Sequence, residues 1–114
     1  MANVKAVVLR PDSDVAERVT LEEVGGSCLR AMQEQVGGNI ELVGEIIPYC
    51  DAFVNEDGIA LGLSPSMWWE DGRQFLLGPV LFCGHDAEGR TTDISSIAVK
   101  FIYMAFGLEG EWDD

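Results

Sequence analysis

Short β-branched apolar runs alternate with turn-forming residues along this chain, and only two stretches carry a helical period. Val4, Val7, Val8 and Leu9 are cut off by Arg10-Pro11-Asp12-Ser13-Asp14, which predicts a first strand. Apolar residues on both of its faces place that strand inside a sheet rather than at its rim. Val15, Val19 and Leu21 alternate loosely with Glu17 and Arg18, as in a second, edge-like strand over residues 15–21. Gly25-Gly26 breaks the chain, and Ser27 is placed to cap a helix with Leu29, Met32 and Val36 at i, i+3 and i+7. Gly37-Gly38 ends that helix, one glycine supplying the left-handed residue past the last turn.

The second half is expected to be strand-rich. Asn39-Ile40-Glu41-Leu42-Val43 opens a strand that Pro48 ends, and residues 49–54 form another. Asn55-Glu56-Asp57-Gly58 then reads as a hairpin turn into Ile59-Ala60-Leu61-Gly62-Leu63. Ser64-Pro65-Ser66 punctuates before Met67-Trp68-Trp69-Glu70-Asp71-Gly72, taken as a short helical turn or loop. Residues 75–83 read as one apolar strand bulged at Gly78-Pro79, and residues 84–90 as a turn. Asp93 is expected to cap a last helix with Ile94, Ile97, Ala98, Phe101, Ile102 and Ala105 on one face, broken at Gly107. Turns outnumber crossovers, so the expected fold is α+β: a small, mostly antiparallel sheet of about five or six strands with two helices. Residues 1–108 form the expected single domain, and residues 109–114 an acidic, mobile C-terminal tail.

The helix with Leu29, Met32-Gln33 and Val36-Gly37-Gly38, followed by Ile40-Glu41-Leu42-Val43, Asn55-Glu56-Asp57-Gly58 and Gly62-Leu63-Ser64-Pro65, makes a pattern. It resembles a family of small bacterial and phage domains, the domain of unknown function 3846. Gly78-Pro79-Val80 and the Asp86-Ala87-Glu88-Gly89 turn fit the same layout, so the resemblance runs from about Val4 to Thr92. Ser66 stands where the family commonly has Asn, and Trp68-Trp69 and the acidic tail are not marks of it. The resemblance implies an α+β fold and a phage or plasmid setting, and it implies no catalytic residues.

Charge changes the picture most. The 114 residues hold 20 Asp and Glu against 7 Lys and Arg, a net charge of −13, with 47% hydrophobic residues. A chain this apolar folds, and a chain this acidic does not hold nucleic acid or an anionic membrane by bulk charge, because phosphate binding needs cations. The excess is uneven: no Lys or Arg occurs between Arg30 and Arg73, where eight carboxylates stand. The odd, scattered set Cys28, Cys50 and Cys83 reads as reduced buried thiols of a cytoplasmic protein, and the N-terminal apolar run is too short for a signal peptide.

Candidate chemistry is sparse. Cys83-Gly84-His85, with Asp86 next to it, contains the sole His beside a thiol, but this spacing gives no nucleophile–base geometry and too few ligands for zinc. Asn55-Glu56-Asp57-Gly58 with Asp51 lacks the alternating ligands of a calcium loop and is better read as a turn. Neither a metal nor a cofactor is expected. Gly25-Gly26-Ser27 could offer amides to an anion at a helix start, although Glu22-Glu23 oppose it. Trp68 and Trp69 cannot both enter a core from an extended segment, so one is expected to be exposed.

The expected function is a non-catalytic binding module, not an enzyme. It would come from a mobile element or its host and engage a basic protein surface through Trp68, Trp69, Glu56, Asp57, Glu70 and Asp71. One form of this is counter-defence, with carboxylates mimicking DNA charge to occupy a nucleic-acid-binding protein. The alternative is a nucleotide-type small-molecule binder using Gly25, Gly26, Ser27 and Trp68. A homo-oligomer is compatible with both.

Overall fold

A computed structural model describes residues 3–112. The chain runs β1 (Asn3–Leu9), β2 (Ala16–Glu22), α1 (Leu29–Val36), β3 (Ile40–Ile47), β4 (Cys50–Asn55), β5 (Pro65–Trp69), β6 (Gln74–Leu77), β7 (Val80–His85), β8 (Thr91–Thr92), α2 (Ser96–Phe106) and β9 (Leu108–Glu109). The fold is the expected α+β one. Seven strands form a sheet in the order β3-β4-β7-β1-β2-β9, with β8 paired to the last residues of β7, and β5-β6 form a separate hairpin. All these pairings are antiparallel except the short one between β2 and β9. No helix among the described residues is long and apolar enough to cross a membrane.

The sheet is covered on both faces. Leu81 and Cys83 of β7 meet Ala31, Met32 and Val36 of α1 together with Val4, Ala6 and Leu21. Val80 and Phe82, pointing the other way, meet Ala98 and Ile102 of α2 and Trp69 and Leu76 of the hairpin. A strand buried on both faces reads as an unbroken apolar run, which is why β7 is recognisable as a strand although the sequence merges it with β6. Removing Phe82 or Leu81 from water is worth about 2–3 kcal/mol each.

Helix α1 stops as expected. Gly37 takes the left-handed conformation, φ 80°, and its N–H donates to the Gln33 carbonyl. The N-cap position falls one residue later than predicted, on Cys28, while Ser27 Oγ accepts the Leu29 N–H at 3.1 Å. The end of α1 is tied to β4 by buried Asn55, whose amide donates to the Val36 carbonyl at 3.1 Å and accepts from Asp57 N–H at 2.8 Å.

Several expectations fail for physical reasons. Asp57-Gly58 does not open a hairpin. Leu61 N–H bonds back to the Asp57 carbonyl and Leu63 N–H to the Gly58 carbonyl, so residues 56–62 coil instead of extending. The hairpin comes later, across residues 70–73, and Met67-Trp68-Trp69 lies in strand β5 rather than in a helical turn. Gly78-Pro79 is not a bulge in one strand. Gly78, at φ 76°, donates to the Ser64 carbonyl at 2.8 Å and lets the chain leave β6 for β7 in the other sheet. Ser95, not Asp93, caps α2 by accepting the Ala98 N–H at 3.1 Å, while Asp93 accepts the Lys5 N–H at 2.9 Å. On α2 only Ala98 and Ile102 are buried, and Ile97, Phe101 and Ala105 of the predicted core face are exposed.

The C-terminal segment, expected as a mobile tail, is docked as far as Trp112. Leu108–Glu109 pairs with β2, and the Trp112 indole N–H is shared by the Ala6 and Val19 carbonyls at 2.9 and 3.1 Å. Lys5 Nζ and Arg18 lie over its ring at 5.8 and 5.3 Å, a cation–π pair that the acidic surroundings of the segment disguised. Asp113 and Asp114, the end of the predicted tail, lie outside the described residues. Trp112→Ala is expected to cost about 2 kcal/mol, read as a lowered urea midpoint with an unchanged slope.

Candidate functional site

The alternation of strand β5 settles the Trp pair. Trp69 points inward and is 8% exposed, whereas Trp68 points outward and is 45% exposed. Trp68 meets Phe75 of β6 edge to face, with ring centroids 5.1 Å apart, and its indole N–H donates to Glu70 Oε2 at 2.7 Å. A shallow cleft of about 180 Å³ opens beside it, lined by Met67, Trp68, Trp69, Phe101, Glu70 and Asp71 together with Glu45 and Ile46 of β3. Phe101 continues into an exposed stripe on α2, where Ile97 and Met104 sit four residues before and three after it and are 73% and 78% exposed. A run of uncovered aliphatic and aromatic side chains beside free carboxylates has the form of an interaction surface.

The remaining predicted partner residues separate from this cleft. Glu56 lines a second groove, of about 210 Å³, with Leu42, Ile59, Phe75 and Leu77, and its carboxylate accepts from the Asn39 side-chain amide at 3.0 Å. The Trp68–Phe75 pair joins the two grooves, since each ring lines one of them. Asp57 belongs to the coiled turn after β4 and lines neither groove.

The alternative ligand site is not assembled. Gly25 and Gly26, both at positive φ, make a tight turn closed by reciprocal bonds between Val24 and Ser27, next to the start of α1. Helix α1 and Cys28 pack on one face of the sheet, and the β5-β6 hairpin carrying Trp68 packs on the other. Gly25, Gly26 and Ser27 therefore cannot meet phosphate while Trp68 stacks a base of the same nucleotide.

All three thiols are buried, and burial disfavours the thiolate. Burial, and then the carboxylates of Asp51 and Glu45, push the Cys50 thiol up to about 12. Burial, with Asp51 next, raises Cys83 further still, and burial with Glu23 raises Cys28. His85 does not serve Cys83, and Asp86 does not orient His85. Asp86 is occupied by Arg90, whose backbone N–H and guanidinium hold that carboxyl below its usual range.

His85 turns instead to residues distant in sequence. Its Nδ1 is 2.8 Å from Asp51 Oδ2, and its Nε2 faces Glu45 Oε2 at 3.5 Å. Register explains the meeting: Glu45 pairs with Asp51 across β3-β4, and Asp51 pairs with Cys83, two residues before His85, across β4-β7. Tyr49, in the two-residue turn between β3 and β4 at φ 66°, donates its N–H to Glu45 Oε2 at 2.8 Å and leans its ring on the imidazole. Neighbours across strands leave no trace in local spacing, so the constellation is invisible in a Cys-Gly-His motif.

Buried, high-pKa thiols make a direct prediction. A neutral aromatic disulfide reagent at pH 8 is expected to label none of the three cysteines of the native chain within minutes, and all three in denaturant. Rapid native labelling of Cys83 would revive a thiol mechanism.

A family described as a domain of unknown function, DUF3846, matches residues 4–106, so the match extends beyond Thr92 through α2. No curated protein and no solved structure matches the chain. With nearly the whole fold inside the matched span, the chain belongs to the DUF3846 family.

Proposed function

We propose that this protein is a non-catalytic binding module that engages a basic protein surface through the cleft beside Trp68. The observation that carries the reading is the junction of exposed apolar side chains with unneutralised acid. Trp68, Phe101, Ile97 and Met104 lie uncovered beside Glu70 and Asp71, and neither carboxylate is in an ion pair among the described residues. Trp68 is the anchor, a rigid aromatic that buries a large area on contact at little entropic cost.

The distribution of charge supports the same side of the molecule. Lys5, Arg10 and Arg18 belong to the β1-β2 end of the sheet, where Arg10 meets Glu17 and the other two flank Trp112. The β3-β4 end and the β5-β6 hairpin carry Glu41, Glu45, Asp51, Glu56, Asp57, Glu70 and Asp71, with Arg73 as the sole Lys or Arg. A field of one sign at one end steers a cationic partner toward the cleft, and it repels DNA while suiting a protein that holds DNA. In a mobile-element setting such occupation of a nucleic-acid-binding protein is counter-defence.

A synthetic Arg- and Lys-rich peptide with one aromatic residue is a sufficient probe, read through the intrinsic fluorescence of the three tryptophans. Binding is expected to weaken at least tenfold between about 50 and 500 mM salt. Trp68→Ala is expected to lower affinity at least tenfold, measured by peptide anisotropy, and Glu70→Gln with Asp71→Asn about three- to tenfold. Asp12→Asn with Asp14→Asn, at the other end of the molecule, is the control. Equal losses from both pairs of substitutions would reduce the effect to net charge and remove the cleft from the account.

A further inference from the structure

We propose that His85 and Glu45 bind a divalent first-row transition-metal ion of the zinc class, with Asp51 as the residue that orients the imidazole. This site shares Glu45 with the rim of the cleft but does not rest on the reading above. Its side chains face one another across three strands, and neither Trp68, Glu70 nor Asp71 takes part in it.

Hydrogen-bond accounting comes first. Asp51 offers only acceptors when ionised, so the 2.8 Å contact makes Nδ1 the protonated nitrogen of the neutral ring. In the neutral ring Nε2 presents a lone pair, and what it faces at 3.5 Å is a second carboxylate oxygen, Glu45 Oε2. Two acceptors facing each other repel unless a cation lies between them. Among the described residues, no Lys or Arg comes within ion-pair distance of Glu45 or Asp51. Two carboxylates flank one imidazole here, and the gap between Nε2 and Oε2 is where a cation, a second ring proton or a metal ion, fits.

Distances favour a metal in that gap. Two ligands on a tetrahedral ion with bonds of about 2.0–2.1 Å stand about 3.3–3.4 Å apart, close to the Nε2–Oε2 separation. A carboxylate on the remote imidazole nitrogen is the usual support of a metal-bound His, fixing both tautomer and ring direction. Glu45 is likewise held, by the Tyr49 N–H at 2.8 Å, and the Tyr49 ring limits rotation of the imidazole. Each group rises from a strand end or a two-residue turn, so the ligands are set before the ion arrives. One imidazole nitrogen with a carboxylate suits zinc, cobalt or manganese rather than calcium, which takes an all-oxygen shell. Only two protein donors face the gap, so the remaining positions are open to water or to a donor from another molecule. The side chains of His85 and Glu45 are 23% and 49% exposed, which gives the ion a route in.

The single His of the chain makes the test direct. Untagged, uniformly ¹⁵N-labelled protein in excess magnesium is titrated with zinc chloride, while both imidazole nitrogens are followed by long-range ¹H–¹⁵N correlation. The expected result is saturation at one equivalent, with the Nε2 resonance moving and Nδ1 remaining protonated. By calorimetry, His85→Asn and Glu45→Gln each lower zinc affinity at least tenfold, and Asp51→Asn about tenfold. Glu70→Gln with Asp71→Asn leaves it unchanged. An unmoved Nε2 resonance at one equivalent would overturn the proposal and leave a proton as the bridging cation. Zinc affinity equal in wild type and in His85→Asn would overturn it too, by assigning binding to the acidic surface at large. Should a variant fail to fold by circular dichroism, the wild-type Nε2 shift alone decides.

Discussion

Strand β7 imposes the constraint on which the rest of the molecule depends. Val80, Leu81, Phe82 and Cys83 are buried in succession, so both faces of the strand must be covered and both edges hydrogen-bonded. Strand β4 pairs along one edge, and β1 followed by β8 along the other. Helix α1 answers Leu81 and Cys83, while α2 and the β5-β6 hairpin answer Val80 and Phe82. Helix α2 buries only Ala98 and Ile102 of its residues, and the hairpin covers the rest of that face as a separate small sheet. It contributes Trp69 and Leu76 to the core, and in doing so it must turn Trp68 and Phe75 outward.

Both regions with chemical promise follow from that arrangement. The exposed cleft is the outer side of the hairpin that completes the core, bordered by the part of α2 that the core does not need. The imidazole cluster stands where β7 runs out of its apolar cover. Gly84 leaves no room for a side chain, since a Cβ there would come within 2.5 Å of the Asp93 carbonyl, and the next residue, His85, emerges between two carboxylates. Charge is sorted by the same topology, because the cation-free stretch from Arg30 to Arg73 builds β3, β4 and β5, away from β1 and β2.

Local signals were legible in the sequence and remote ones were not. The glycine stop after α1, the interior position of β1 and the exposure of one of the Trp68-Trp69 pair follow from neighbours in the chain. The turn expected over residues 84–90 begins only at Asp86, because Gly84 and His85 belong to β7. Asp57-Gly58 signals a hairpin because that dipeptide usually makes one. Here the Asp57 and Gly58 carbonyls are taken by Leu61 and Leu63, and Asn55 holds the turn to the end of α1. Gly78-Pro79 looked like a bulge because residues on both sides are apolar, and pattern alone cannot tell one kinked strand from two strands in different sheets. Trp112 has acidic neighbours that give the sequence there the look of a mobile tail. Its ring is held by two strand carbonyls and two cations about a hundred residues earlier. Of the cleft, Trp68, Trp69, Glu70 and Asp71 could be named in advance, but Phe101 could not, since helical spacing marks an apolar stripe without saying whether anything covers it.

The central claim is that a located surface, rather than net charge, recognises a basic partner. Amide chemical-shift mapping with a basic DNA-binding domain added to labelled protein at physiological salt tests it most directly. The account predicts perturbations confined to β5, the turn at residues 70–73, Phe75 and the Ile97, Phe101 and Met104 side of α2. Shifts scattered over carboxylates at both ends of the molecule, or centred on α1 and the Gly25-Gly26 turn, would contradict it.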